Sequence, residues 1–174
     1  LAWQKPEAVI DSLGLAPDAA VADVGAGTGT FAVRFARALP RGRVYANDVE
    51  PKMVEYLGQR AAAEGLPNLT PILGEAGDPK LPPGLDLVFL CDVFHHVEDL
   101  EGFFGHVRTN LREGGRLAIV DFKKDAPDDA PGPPRAMRVA MADVIARLEP
   151  LGFAVERTDE ALLEYQYVVV LRRR

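Results

Sequence analysis

The sequence predicts an α/β fold: a mostly parallel sheet covered by helices on both faces, a three-layer sandwich. Three observations predict it. Short apolar runs alternate with amphipathic helical segments along most of the 174 residues, the pattern of repeated strand–helix–strand crossovers. Leu85 to Cys91 is apolar apart from Asp86, as a strand buried on both faces must be. Val21-Ala22-Asp23-Val24 runs directly into Gly25-Ala26-Gly27-Thr28-Gly29, a strand ending in a glycine-rich turn at a helix start.

Taken in order, Pro6 to Leu13 reads as a short helix, with proline at its first position and Gly14 after its last. It belongs to an N-terminal helical segment over 1–16. Val21 to Val24 is the first strand. Phe31, Phe35 and Ala38 recur at helical spacing, so Thr30 to Leu39 is a helix with one apolar face. Arg43 to Asn47 is the second strand. A helix follows from Pro51 to about Glu64, with Val54, Leu57 and Ala61 on one face and Gly65 as its stop. Glu50 is expected to cap its start. Leu69 to Leu73 is the third strand, and Pro71 within it marks a sheet edge. The prolines between Asp78 and Gly84 leave the next crossover as a loop.

Leu85 to Cys91 is the fourth strand and Leu100 to Arg112 the next helix. Glu113-Gly114-Gly115 reads as a turn before a fifth strand, Arg116 to Phe122. Residues 123–136 are polar and proline-rich, a flexible loop at the carboxyl edge of the sheet, where it is either a surface connection or a lid. Met137 to Leu151 is the last long helix. Phe153 to Thr158 and Tyr165 to Leu171 read as an antiparallel pair, and Arg172-Arg173-Arg174 as a solvated, frayed end.

With 48% hydrophobic residues, the chain is long enough to form one domain over 1–174 with a sizeable core. No apolar run reaches the roughly 18–20 residues of a membrane span, and no secretory signal is visible. The chain opens at Leu1 rather than methionine, so residues upstream are expected. The single cysteine, Cys91, cannot form an internal disulfide, which fits a reducing cytoplasm. It reads as a small apolar residue closing a buried strand. A net charge of −6 without a basic stripe argues against a nucleic-acid partner. Monomer and homodimer both stay open, and no metal site is expected.

Glycines in the first loop allow positive φ and close approach of a ligand to the backbone. Their pattern is G-x-G-x-G, and Thr30 stands where a dinucleotide fingerprint needs its last glycine. That departure argues against a nicotinamide dinucleotide. Asp48 lies near the end of the second strand, nineteen residues past Gly29, where such folds grip ribose hydroxyls. Gly74-Glu75-Ala76 follows the third strand, and Asp92-Val93-Phe94-His95-His96 follows the fourth.

These four motifs, in this order, resemble those of the class I S-adenosylmethionine-dependent methyltransferases. The resemblance implies a Rossmann-like sheet of seven strands in the order 3-2-1-4-5-7-6, with strand 7 antiparallel. It implies S-adenosylmethionine as cofactor, S-adenosylhomocysteine as product, and in-line methyl transfer to a small-molecule acceptor. Gly25, Ala26, Gly27 and Gly29 are then expected to carry the methionine portion, with Asp23 beneath it reaching the ammonium and Asp92 at the same end. Asp48 would take both ribose hydroxyls, Val49 would pack on the adenine face, and Glu75 and Ala76 would bracket the adenine edge. The family's acid at this turn is usually shorter, and Asp78 also follows; Glu75 is preferred.

Asp92, His95 and His96 are the candidate catalytic residues. A histidine here could take a proton from the acceptor near neutral pH, or it could shape the loop through hydrogen bonds. Adjacent side chains should point apart, so at most one histidine faces the acceptor, with His96 preferred. The family's N-terminal segment often closes over the cofactor, which brings in Trp3 and Gln4. The acceptor pocket is expected to come from that segment, the loop after Cys91 and the proline-rich loop. Two alternatives remain: methylation of RNA or protein, and binding of S-adenosylmethionine without catalysis. Against the first, Cys91-Asp92-Val93-Phe94 stands where the amino methylases of nucleic acids and proteins carry Asn/Asp-Pro-Pro-aromatic.

Overall fold

Ala20–Val24 forms the central strand β1, four of its five residues buried. A short apolar strand of this kind needs neighbours on both edges and helices on both faces. The computed structural model, which describes residues 2–174, supplies them. In chain order the remaining elements are α1 (Pro6–Ser12), α2 (Thr30–Ala38), β2 (Arg43–Asp48), α3 (Pro51–Ala63), β3 (Leu69–Leu73), β4 (Leu85–Cys91), α4 (Leu100–Asn110), β5 (Leu111–Phe122), α5 (Met141–Leu148), β6 (Phe153–Asp159) and β7 (Gln166–Arg173). The seven strands form one sheet in the order β3-β2-β1-β4-β5-β7-β6, as expected. β7 runs antiparallel to both β5 and β6, and the remaining pairings are parallel.

Alternate residues of β4 serve the two faces, as strand geometry requires. Leu87 and Phe89 pack with Phe31, Phe35 and Leu57 from α2 and α3. Val88 and Leu90 pack with Phe104 and Val144 from α4 and α5. Parallel register aligns the strand ends: Val24 of β1 pairs with Asn47 of β2 and with Leu90 of β4. Chain order runs outward from β1 through β2 to β3 on one side, and through β4 to β5 on the other. The crevice at that reversal is where ligands bind in open sheets of this kind.

Five local expectations are corrected. Glu113-Gly114-Gly115 is drawn into β5, because Leu111 already pairs with Leu85 across an irregularity in the ladder. The last helix is shorter than Met137 to Leu151, flanked by 3₁₀ turns at Arg135–Met137 and Glu149–Leu151. Arg138 causes the late start: its backbone is extended and its side chain is buried beneath the proline-rich segment. Its guanidinium donates to the carbonyls of Ala126 at 2.5 Å, Pro127 at 3.1 Å and Pro133 at 3.0 Å. The segment expected to be a flexible loop is thus folded around an arginine.

The carboxyl end is not frayed: Arg173 pairs with Phe153 in the β6–β7 ladder, and Arg172 donates to the Gly114 carbonyl at 3.0 Å and to Glu156. Glu50 occupies the position before α3 but makes no side-chain capping bond. Its own amide is already taken by Asp48 Oδ1 at 3.0 Å. Among the described residues, no helix is long and apolar enough to cross a membrane.

Phe89 is fully buried, with ring centroids 4.7 Å from Phe31 and 5.2 Å from Phe35. Phe89→Ala should cost about 3–5 kcal/mol of unfolding free energy, read as a lower urea midpoint with an unchanged m-value.

Candidate functional site

The glycine loop turns sharply because its backbone must. Gly25 has φ 72° and Gly27 has φ 56°, values that strain residues with a Cβ. A Cβ on Gly25 would also strike the Val93 side chain, whereas the space beside Gly27 is open. The loop is tied to β2 at two points. The Ala26 amide donates to the Asn47 carbonyl at 2.8 Å, and the Gly27 amide to Asp48 Oδ2 at 2.9 Å. With Glu50 N on Oδ1, Asp48 uses two of the roughly four acceptor positions of a carboxylate. The others stay available to a ligand.

Val24, Asp48, Val49, Glu75, Val93 and Phe103 are among the residues around a cavity of about 260 Å³ at this strand-end crevice. Val49 is 56% exposed although apolar, a platform on which a flat ring could rest. The turn bearing Glu75 and Ala76 is fixed from below. Gly74 N donates to the Asp48 carbonyl at 2.9 Å, and the buried Asn47 side chain donates to the Pro79 carbonyl at 2.6 Å. Asp78 is engaged away from the cavity, 3.0 Å from Lys80 Nζ and 3.8 Å from His106 Nδ1. Glu75 and not Asp78 is therefore on the cavity wall. One carboxylate beside apolar walls and a second at the rim suit a nucleoside in chemical terms. Gly29 departs from expectation: it is buried, and a Cβ there would meet Leu57 at 2.9 Å. Its work is packing α2 against α3.

A second cavity, of about 410 Å³, opens at the ends of β4 and β5. Its walls come from Trp3 and Gln4, from Asp92, His95 and His96, and from Phe122 and the Gly132–Met137 stretch. These are the three segments the sequence pointed to. Trp3 lies 5.7 Å from Phe122 and 6.1 Å from Tyr165 between ring centroids. The N-terminal segment therefore walls this second cavity and leaves the first one open, a correction to its expected place over the cofactor. Asp92 likewise lines only the second cavity.

His95 and His96 do not point apart. They sit in a 3₁₀ turn, Phe94–His96, and their ring centroids are 4.0 Å apart. Both line the second cavity, and His96 also borders the first. The rings differ in support. His95 Nδ1 is 3.2 Å from Oδ2 of Asp121, a fully buried residue, and the His95 side chain is almost entirely enclosed. His96 is exposed. The oriented ring is His95, where the sequence had favoured His96.

Asp92 leaves β4 with φ 62°, and its amide stays bonded to the Val120 carbonyl at 2.9 Å. Its carboxylate accepts from Gln166 Nε2 at 2.5 Å and Gln4 Nε2 at 3.2 Å. Burial, reinforced by Asp121, pushes the Asp92 carboxyl up to about 7. Asp23, buried under the glycine loop, is pushed up to about 7 by burial and by Asp48, with the Ala32 amide pulling the other way. Burial also raises the Cys91 thiol, so it is a poor nucleophile. Gln166 Oε1 is buried without a partner. The strand ends are thus rich in acceptors and poor in positive charge. Among the described residues, no group of acids, histidines and cysteines could hold a metal ion.

A family model described as a methyltransferase domain matches residues 22–117, more than half of the chain. The chain belongs to that family. Its structure superposes on a SAM-dependent methyltransferase from Aquifex aeolicus with a TM-score of 0.90 and 29% identity, over 98% of this chain and 90% of that one. A ubiquinone/menaquinone biosynthesis C-methyltransferase, UbiE, of Dinoroseobacter shibae is 30% identical over 92% of this chain and 62% of its own length. A trans-aconitate 2-methyltransferase of Afipia carboxidovorans is 29% identical over 78% of this chain and 49% of its own. The chain spans less than two thirds of the length of these curated relatives.

Within this methyltransferase domain, motif reading missed Asn47, Asp121 and Gln166. Each is a polar residue flanking an apolar run of its strand, and that pattern is the signal that could have found them. Arg138 carried no signal, since it lies where helical periodicity was expected.

The raised Asp23 carboxyl predicts a pH-sensitive fold. An acid whose folded pKa lies above its unfolded value holds its proton longer in the fold, so its contribution weakens stability as pH rises from about 4 through 7. Asp23→Asn should therefore lose less stability than the wild type between pH 5 and pH 8, measured by urea denaturation at each pH.

Proposed function

We propose that this chain is an S-adenosylmethionine-dependent methyltransferase domain acting on a small-molecule acceptor. The observation that carries the proposal is the acceptor-rich, cation-poor cluster at the strand ends, beside a cavity suited to a nucleoside. Asp23, Asp92 and the unpartnered Gln166 Oε1 lack a cation, and a ligand bearing an ammonium and a sulfonium supplies it. Family membership and the likeness to the Aquifex aeolicus enzyme support the reading.

S-adenosylmethionine, when bound, supplies a methyl group on sulfonium sulfur, already activated for displacement. The protein's part is then binding, alignment and exclusion of water. Asp48 would accept from the ribose hydroxyls with the lone pairs that Gly27 and Glu50 leave free. Val49 would pack on the adenine face, with Glu75 and Ala76 at its edge. The open side of Gly27 gives the methionine portion room, and Gly25 and Ala26 complete the loop. Asp23 and Asp92 would hold the ammonium, while His95 and His96 line the second cavity, His96 at its junction with the first, and are placed to meet an acceptor. The whole chain acts as one domain in this reading.

Calorimetric titration with S-adenosylmethionine and S-adenosylhomocysteine tests it, with NADH as the control. Binding of both sulfur ligands is expected and of NADH is not; failure of both to bind sinks the reading. Asp48→Ala removes charge-assisted hydrogen bonds worth roughly 1.5–3 kcal/mol, so affinity should fall about tenfold to a hundredfold. A cationic ligand favours the ionised forms of Asp23 and Asp92. Binding should therefore tighten from pH 6 to pH 8 and release protons at pH 6, measured as heats that change with buffer ionisation enthalpy.

A further inference from the structure

The second cavity has a chemistry of its own. Its walls are apolar and planar or bulky: Trp3, Phe122, Pro133, Pro134 and Met137. The Trp3 and Phe122 rings are tilted by 44° to each other, and Met137 is 49% exposed although apolar. Such walls take a flat apolar body, and the volume of about 410 Å³ is ample for one of two rings.

The polar groups lie at one end, and none is a lysine or arginine. The basic residues nearest in sequence are engaged elsewhere. Lys5 Nζ donates to the Leu162 carbonyl at 3.4 Å. Lys123 Nζ donates to the carbonyls of Leu163 at 2.8 Å and Glu164 at 3.1 Å. Lys124 Nζ donates to the Arg138 carbonyl at 2.8 Å, and the Arg138 guanidinium to three carbonyls of its own loop. Arg135 Nε pairs with Asp128 at 3.0 Å. The carboxyl group of Asp92 meanwhile stands at the polar end, and Asp121 is buried behind His95. A carboxylate or phosphate entering here would meet Asp92, with Asp121 close behind His95, and no lysine or arginine, a like-charge arrangement that proteins avoid.

A base is present. Asp121 Oδ1 accepts from the Phe122 amide at 2.8 Å, and Oδ2 faces His95 Nδ1 at 3.2 Å. A carboxylate accepts, so it holds the imidazole with its proton on Nδ1 and leaves Nε2 as the accepting nitrogen, the logic by which a buried acid orients a catalytic histidine.

Resting on the transferase reading above, we infer that the second cavity takes a flat, uncharged acceptor bearing a hydroxyl group. His95 is the catalytic base and Asp121 its positioning residue. In the step, the hydroxyl oxygen forms a bond to the donor methyl carbon, the carbon–sulfur bond breaks with its electron pair going to sulfur, and the hydroxyl proton passes to His95 Nε2. The products are a methyl ether and a neutral thioether, and the imidazolium, balanced by Asp121, returns its proton to water.

Trp3 is the only tryptophan, so its fluorescence reports this cavity without any methyl donor. The matched probes are 2-naphthol and 2-naphthoate, which share the ring system and differ in charge, with trans-aconitate as a third. Saturable quenching by 2-naphthol at least tenfold stronger than by 2-naphthoate is expected. With S-adenosylmethionine, 2-naphthol should give its methyl ether and trans-aconitate no ester. His95→Ala should lower kcat by about a hundredfold or more with the quenching constant within threefold of wild type. Asp121→Asn should lower kcat with the same unchanged quenching constant, a split that loss of structure would not give. Absent 2-naphthol quenching, equal quenching by 2-naphthoate, or an unaltered kcat in His95→Ala overturns the inference. Failure of S-adenosylmethionine to bind by calorimetry while 2-naphthol still quenches would overturn the transferase reading, and with it the base, while leaving the cavity's preference standing.

Discussion

The polar groups around the first cavity are organised by one constraint, the parallel pairing of β1 with both β2 and β4. Parallel strands end at a common level, and Val24, Asn47 and Leu90 stand side by side there. Past that level the chain can no longer satisfy its backbone through the sheet. The groups that follow find other partners: Ala26 on Asn47, Gly27 on Asp48, Gly74 on the Asp48 carbonyl, Asp92 on Val120. The first cavity is what those substitute bonds enclose. Asp48 matters twice, because one carboxylate both holds the glycine loop and faces the opening.

The second cavity is built on the other consequence of the sheet, the antiparallel return of β7. Its register sets Gln166 opposite Phe122 and Tyr167 opposite Asp121, which brings Gln166 to Asp92. Polar side chains from β4, β5 and β7 thereby share one enclosed space with Gln4, although 88 residues separate Gln4 from Asp92. Burial beside Asp121 raises the Asp92 carboxyl, so this enclosed acid holds its proton longer than an exposed one would.

Much of this was legible in the sequence. Strand positions followed from apolar runs, and the ends of β1 and β2 were marked by the glycine loop and Asp48. The segments walling the second cavity could be named because every long connection at the carboxyl edge had to pass there. What escaped was the part set by tertiary packing. Nothing in the neighbourhood of Arg138 says that three loop carbonyls will gather around it. A 3₁₀ turn at Phe94–His96 brings neighbouring rings onto one side, whereas sequence adjacency alone suggests opposite sides. Gly29 matched a binding motif yet is required by the approach of Leu57.

The two cavities share the turn after β4, and otherwise draw on separate stretches of chain. Only His96 of the residues discussed borders both. Residues from β1 to the turn after β3 make most of the first, and the second is walled by the start of the chain, the turn after β4 and the loop folded on Arg138. Variation can therefore accumulate at the start of the chain and in the loop folded on Arg138 without disturbing the first. Exchanging the proline-rich loop together with the arginine that organises it would transplant one wall as a cassette, and the part of the molecule open to diversification is the part least readable as a motif.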